Sequence, residues 1–235
     1  MQYSLLQLLK NICIPNQCII CHTLSDDNLC DTCILKIPHK PKLWINSHIT
    51  QPPLFRPTAF TEIQYPLENS HLITVLSCTL FNDPIIRKSI HYLKYKNLPQ
   101  LSNPLGGLML RAITQAIRLQ SHIILCPIPL HPKRLLFRTY NQSDLLAQYI
   151  ASQLRLPVYT DLERIKNTPQ QMKIHDKSER IANVKEAFIA HSKPTQNDII
   201  ILIDDVTTTL STINEAASAL YKKGFRNIHA VILAH

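Results

Sequence analysis

The segment Ile199-Ile200-Ile201-Leu202-Ile203-Asp204-Asp205-Val206-Thr207-Thr208-Thr209-Leu210-Ser211-Thr212 constrains this chain more than any other. Five consecutive large apolar residues fit a buried strand and are too few for a helix of ordinary length. Two adjacent carboxylates follow directly, and then the hydroxyl-bearing Thr207, Thr208, Thr209, Ser211 and Thr212. From Ser211 to Lys223 the spacing is helical, stopping at Gly224 after a Lys-rich last turn. In open α/β sheets, ligands gather at the carboxyl ends of strands. A helix N-terminus placed there offers unpaired N–H groups and a dipole that favours an anion. The hydroxyls of Thr208, Thr209 and Thr212 can donate to phosphate oxygens. Asp204 and Asp205 cannot hold phosphate directly; they suit sugar hydroxyls, or Mg2+ through water. The competing reading is a plain turn opened by the acids, with Ser211 or Thr212 as the helix cap.

Any such phosphate turn is built almost without glycine. The 235 residues contain Gly106, Gly107 and Gly224, where ordinary usage gives about sixteen. A Gly-rich dinucleotide loop and a Walker A loop are thereby excluded.

The remaining pattern alternates strands and helices. Residues 72–81 are β-prone, residues 84–96 and 105–119 have helical spacing, and Ile123 to Ile128 is a short apolar run. Asn141 to Leu154 reads as an amphipathic helix, residues 178–188 as a short one, and Ile228 to Ala234 as a last strand. The expected fold is α/β, a parallel sheet flanked by helices on both faces. Three parts are expected. Residues 1–41 form an N-terminal helix and a cysteine element, 42–82 a Pro-rich connection with a first strand, and 83–235 the main domain. The longest apolar runs are far too short to span a bilayer. No small-residue cleavage site follows the apolar N-terminus, so the expected compartment is the cytoplasm.

The net charge of +9 lies entirely in the second part of the chain, since residues 1–80 hold five basic and five acidic side chains. Residues 84–143 contain nine Lys or Arg and no carboxylate. That is either a solvated basic face or a polyanion footprint, and charge alone does not separate nucleic acid from a phosphorylated small molecule. The densest part follows the Ile123 strand: Pro127-Ile128-Pro129-Leu130-His131-Pro132-Lys133-Arg134-Leu135-Leu136-Phe137-Arg138-Thr139-Tyr140-Asn141-Gln142. Lys133, Arg134 and Arg138 could grip a pyrophosphate or a nucleic-acid backbone. Phe137 and Tyr140 could stack on bases. The alternative is that Leu135, Leu136 and Phe137 pack beneath the loop while the cations face water.

Five of the seven cysteines fall between positions 13 and 33. Cys18 and Cys21 form one C-x2-C pair and Cys30 and Cys33 a second, the spacing of a closed, structural Zn2+ site. A disulfide framework fits poorly without a sign of secretion. Cys13, His22 and His39 are nearby substitutes. Cys78 and Cys126 sit in apolar runs and are expected as buried small hydrophobes.

The Asp-Asp-Val-Thr-Thr-Thr-Leu-Ser-Thr loop resembles the signature of the type I phosphoribosyltransferases, which bind 5-phosphoribosyl-1-pyrophosphate (PRPP). The resemblance implies that Asp204 and Asp205 hold the ribose hydroxyls and that Thr207, Thr208, Thr209, Leu210, Ser211 and Thr212 cradle the 5-phosphate, with Mg2+ on the pyrophosphate. Leu210 stands where the signature has glycine. A leucine there resists positive φ and crowds the ligand, so the loop either keeps negative φ or loses phosphate affinity.

Nearly the whole chain resembles the ComF family of competence proteins. The paired C-x2-C cluster matches the family's zinc element, and Lys94-Tyr95 its Lys-Tyr motif. Pro127 to Leu130 with Arg138, Asn141 and Gln142 resembles its Pro-x-Pro-Leu and Arg-Gly-Phe-Asn-Gln motifs, with Thr139 and Tyr140 in place of Gly-Phe. Arg164, Thr168, Gln171, Arg180 and Asn183 match a further basic segment. The resemblance implies a cytoplasmic PRPP-binding protein needed for natural transformation. It would act on incoming single-stranded DNA beside a helicase-like competence ATPase, without inserting into the membrane. Lys94, Lys133, Arg134, Arg138, Asn141, Gln142, Arg164 and Arg180 are then the expected pyrophosphate or DNA contacts. One alternative is an active phosphoribosyltransferase that transfers ribose 5-phosphate from PRPP to a base or other acceptor. Another is a metal-ribbon interaction protein whose ligand site no longer works.

Overall fold

The computed structural model describes residues 16–46, 54, 62–64, 70–116, 122–167, 185–195, 198–207 and 210–235. In chain order the elements are α1 (Asp31–Ile34), β1 (Lys42–Ile45), β2 (Glu62–Gln64), β3 (Thr74–Thr79), α2 (Pro84–Tyr95), a 3-10 turn (Pro99–Leu101), α3 (Ser102–Ala116), β4 (Ile123–Pro127), α4 (Pro132–Arg138), α5 (Gln142–Leu154), β5 (Leu162–Arg164), β6 (Phe188–Ala190), β7 (Ile199–Val206), α6 (Ser211–Lys223) and β8 (Asn227–Ala234). The expected helix at residues 1–12 lies outside the described residues.

Local chemistry explains the helix starts. Pro84 opens α2 with its preset φ, and the Asp83 carboxylate caps it by accepting from the Ile85 and Ile86 amides at 2.9 and 3.0 Å. Asn141 caps α5, where its Oδ1 accepts from the Ser143 amide at 3.3 Å. Helix α6 ends at Gly224 with φ +120°.

The central sheet has the order β2-β1-β3-β8-β7-β4. Strands β3, β8, β7 and β4 are mutually parallel, as expected of strands joined by helices. The Pro-rich connection adds β1, antiparallel to β3, and β2, parallel to β1. The sheet is therefore mostly parallel rather than wholly so, because an antiparallel neighbour needs no crossover helix. A separate ribbon pairs β5 with β6. Residues 185–188, expected as the end of a helix, instead turn at Glu186 (φ +55°) and enter β6. Phe188 and Ala190 alternate inward and pair with β5, so strand burial outweighs the local helical spacing.

Each face of the sheet carries a core. On one, Ile90 and Leu93 of α2, Met109 of α3 and Leu146 of α5 pack against Leu125, Ile201 and Val231. On the other, Ile213, Ala217 and Leu220 of α6 pack against Ile200, Leu202 and Ile232. The cysteine element joins the first core through Ile19, Leu29 and Ile37, next to Leu101 and Leu105. It is tied to α3 by hydrogen bonds from Asn103 Nδ2 to Asp27 Oδ1 and between His39 and Gln115, each 2.8 Å.

One register positions the site. Strands β4 and β7 are neighbours with Pro127 opposite Ile203, so their carboxyl ends lie side by side. The basic loop after β4 and the acid pair on β7 thus meet at one sheet edge, although about seventy residues separate them in sequence.

Candidate functional site

Strand β7 does not stop at Ile203. It continues through both acids to Val206, with Asp204 opposite Ile232 and Val206 opposite Ala234 on β8. That continuation buries Asp204 and Asp205, unlike the competing reading in which the acids open a plain turn. Asp204 Oδ1 accepts from the Ser143 hydroxyl at 2.8 Å and from the Asp205 amide at 2.9 Å. Asp205 Oδ1 accepts from the Val206 amide at 2.7 Å, and Oδ2 faces the Lys94 ammonium at 2.8 Å. Burial, reinforced by the charge of Asp205, pushes the Asp204 carboxyl up to about 7; Lys94 and Ser143 oppose the rise.

Beyond β7, the backbone at Leu210 departs from the ordinary region for a leucine. Leu210 has φ +56° and ψ 0°, the left-handed region in which the signature's glycine is at home. The alternative of negative φ is thereby corrected. Leu210 N–H donates to Thr207 Oγ1 at 3.0 Å, its carbonyl accepts from Asn214 at 2.8 Å, and its side chain packs on the second core. These contacts hold a conformation that costs an L-residue about 1–2 kcal/mol. Thr207 and Ser211 are buried and Thr212 half-buried, while Thr208 and Thr209 lie outside the described residues.

Thr139, the second residue standing where the motif has glycine, is also left-handed, with φ +65°. It ends α4, a helix with no buried residue. Lys133 is exposed, and Arg134 and Arg138 are half-buried. Arg138 donates to Gln142 Oε1 at 3.0 Å and to the Tyr95 hydroxyl at 3.4 Å, with its guanidinium 5.2 Å from the Tyr95 ring centroid. Leu136 and Phe137 are 83% and 90% exposed, so they do not pack beneath the loop. Tyr140, expected as a stacking ring, instead donates to the Leu93 carbonyl at 2.6 Å and braces α2. Asn141 Nδ2 donates to the Ile128 carbonyl at 2.9 Å, fixing the loop to the end of β4. Arg164 is buried on the end of β5, over the Phe188 ring at 5.3 Å. Burial and the neighbouring Arg134 push Arg164 down to about 10, with Arg138 adding to the fall and Asp204 opposing it. Lys94 reaches the acid pair directly, Arg134 and Arg138 line one cavity with Lys94, and Arg164 feels the charges of Arg134, Arg138 and Asp204; Thr168, Gln171, Arg180 and Asn183 lie outside the described residues.

The sequence reading missed Ser143, the hydroxyl on Asp204, and the exact partner of Asp205. Ser143 carries a signal only in hindsight, as a hydroxyl in the first turn of a capped helix. Tyr95, 47% exposed, presents its ring to solvent where Tyr140 does not.

The metal-type cluster among the described residues is the four cysteines. The sulfurs of Cys18, Cys21, Cys30 and Cys33 all lie within 4.8 Å of one another, with Cys21 and Cys30 at 3.5 Å. Tetrahedral thiolates at Zn–S distances near 2.3 Å stand about 3.8 Å apart, so the set fits one ion. Hydrogen bonds from Thr23, aided by Cys30, lower the Cys21 thiol to about 6, while burial raises Cys33 to about 12. His39 is engaged with Gln115 outside this cluster, and Cys13 lies outside the described residues. Cys78 and Cys126 are buried, and burial raises both thiols.

No protein-family model matches the chain. It is 30% identical over 214 residues to "DNA utilization protein YhgH" of Escherichia coli strain K12, covering 88% of this chain and 85% of that protein. It is 35% identical over 155 residues to "Competence protein F" of Haemophilus influenzae, covering 62% of this chain and 66% of that protein, just under two thirds. Over 103 residues it is 37% identical to "Competence protein ComFC" of Bacillus subtilis, covering 44% and 40%. Among the described residues no helix is long and apolar enough to cross a membrane.

Proposed function

Because the chain belongs to the ComF family of competence proteins, we propose that it serves DNA uptake in natural transformation, binding PRPP at the β7 site and single-stranded DNA on its basic face. The observation that carries the PRPP reading is the Lys94 ammonium, which faces Asp205 and lines one cavity with Arg134 and Arg138, so that an acid pair and a cationic loop adjoin beyond the paired ends of β4 and β7. Carboxylates that accept from a serine and an amide can equally accept from ribose hydroxyls, and the cations suit a pyrophosphate. The left-handed backbone at Leu210 leaves the loop in the shape that a glycine would adopt. The Lys94 ammonium occupies the free side of Asp205, so ligand entry requires Lys94 to move from carboxylate to phosphate. Mg2+ fits as a companion of the pyrophosphate, since Asp205 Oδ2 faces an ammonium and offers no direct metal position.

Cys18, Cys21, Cys30 and Cys33 would hold Zn2+, which supplies a structural staple with no open coordination position. The protein would work in the cytoplasm, alongside a helicase-like ATPase. The reading as an active phosphoribosyltransferase is separated from it by pyrophosphate release in the presence of a panel of bases.

The test is thermal unfolding with PRPP and Mg2+. A ligand at about a hundred times its Kd adds about 2.7 kcal/mol, a shift of roughly 5–10 °C for a chain of this size. The shift is expected in the wild type and absent after Asp204→Asn with Asp205→Asn. An equal shift in the double variant would reject the site.

A further inference from the structure

Two cavities meet at Lys94 and Tyr95. One, of about 330 Å3, lies against the α4 loop and includes Arg134 and Phe137. The other, of about 770 Å3, runs along α2 from Pro84 to Tyr95 and reaches Phe81 and Val206. Phe81, Ile90 and Val206 contribute apolar surface to it, while Arg87, Lys88 and Lys94 supply cations. Arg87, His91, Lys94 and Tyr95 stand at i, i+4, i+7 and i+8, which lays them along one stripe of the helix. The His91 and Tyr95 rings stand 5.2 Å apart, and the Arg138 guanidinium approaches Tyr95 from the α4 side. Among the described residues no carboxylate lines either cavity. Two acids beside the lining residues are committed: Asp83 caps α2 and Asp205 faces Lys94.

That combination selects its occupant. A cationic rim above an apolar, ring-bearing floor takes a chain of alternating phosphates and planar faces, and single strands offer both at once. A duplex hides its bases, and a sugar phosphate has no face for the rings. We infer that the α2 groove is a second stretch of single-strand track. Phosphates follow Arg87, Lys88 and Lys94, and bases stack on His91 and Tyr95 over Phe81 and Ile90. The inference rests on the DNA reading above and extends it, because that reading names Lys94 on α2 but not Arg87, Lys88 or His91. Lys94 and Tyr95 join the two stretches into one path.

Anisotropy of a labelled thymidine oligomer of roughly 12–16 nucleotides, with the full chain across a salt series, tests the path. Arg87→Glu with Lys88→Glu should weaken binding at least tenfold and lower the salt slope by about two. His91→Ala with Tyr95→Ala should weaken the thymidine oligomer by roughly 5- to 50-fold and leave an abasic oligomer of equal length almost unchanged. Unfolding midpoints verify that each variant folds, and Arg87→Ala with Lys88→Ala replaces the charge reversal if it does not. A wild type that binds no oligomer at low salt would overturn the DNA reading, and this one with it. A wild type that binds while both α2 variants bind equally well, at an unchanged slope, would overturn the track alone. So would equal wild-type affinity for abasic and thymidine oligomers.

Discussion

The cysteine element and the β7 acid pair are the two chemical centres of this molecule, and they stand in opposite relation to its stability. The four thiols are brought together by sixteen residues of chain. Their neighbours Ile19, Leu29 and Ile37 are already part of the main core. A metal held there adds to the folding free energy, because the unfolded chain has no preformed site. The acid pair draws on β7, α2 and α5 at once, and buries two like charges against one ammonium and a hydroxyl. Such an arrangement opposes folding and is tolerated because the surrounding sheet over-determines it. One centre staples the fold and the other is held in place by it, so removing a cysteine should cost stability while removing a buried acid should restore some.

Loss of the metal should give the largest effect. Chelation, or Cys30→Ser, is expected to lower the unfolding midpoint by about 10 °C or more, since the knuckle residues would leave Leu101 and Leu105 uncovered. Metal content measured beside the midpoint checks it. A metal-free protein of unchanged stability would make the cluster a passenger and erase the contrast.

Next in size is Lys94→Met. It leaves Asp205 buried without its cation, a loss of about 2–3 kcal/mol in urea unfolding at neutral pH. Asp204→Asn should act in reverse. Between the ordinary carboxylate value of 3.8 and about 7, the folded protein keeps the Asp204 proton that the unfolded chain has lost. Stability contributed at this position therefore falls as pH rises through that window, and the penalty is complete above about 7. Asparagine cannot ionise, so the variant should be more stable than the wild type by roughly 1–3 kcal/mol at pH 8 and nearly equal to it at pH 4. Urea midpoints at the two pH values measure the difference; a variant less stable at pH 8 would make Asp204 a structural member like the cysteines.

The same contrast governs what the sequence displays. The metal cluster is legible because all its ligands sit in two short C-x2-C repeats, and local spacing is what a sequence records. The β7 strand, the helix after it and the gathering of parallel strands are legible from apolar runs and turn residues. The extension of β7 through Val206 is not, because pairing with Ile232 and Ala234 outweighs the turn preference of two aspartates. Nor are Ser143 on Asp204 and Lys94 on Asp205, which depend on helices joined to β7 only through the tertiary fold. Tyr140 has the residue type of a stacking platform, but its hydroxyl finds the Leu93 carbonyl and its ring turns inward. Leu136 and Phe137 show the converse, apolar side chains left in water on a helix that buries nothing.

The smallest expected effect separates the two loops that lack glycine. Thr139 and Leu210 both adopt positive φ, which costs an L-residue about 1–2 kcal/mol. Thr139 is exposed, and its hydroxyl bonds to Asn97 Oδ1 at 3.0 Å at the surface. Thr139→Gly therefore relieves strain at little cost and should raise stability by about 0.5 kcal/mol after the added freedom of the unfolded chain is counted. Leu210 is half-buried against the second core, so glycine there removes packing of similar size to the strain it relieves, and the net change should be near zero. PRPP-induced stabilisation is the second readout. Leu210→Gly should enlarge it, because the backbone shape is retained while the side chain that crowds the approach is gone; Thr139→Gly should leave it unchanged. A Leu210→Gly variant that loses more than about 1.5 kcal/mol would show that the leucine anchors α6 to the sheet, and that the loop's shape is kept for packing rather than for phosphate.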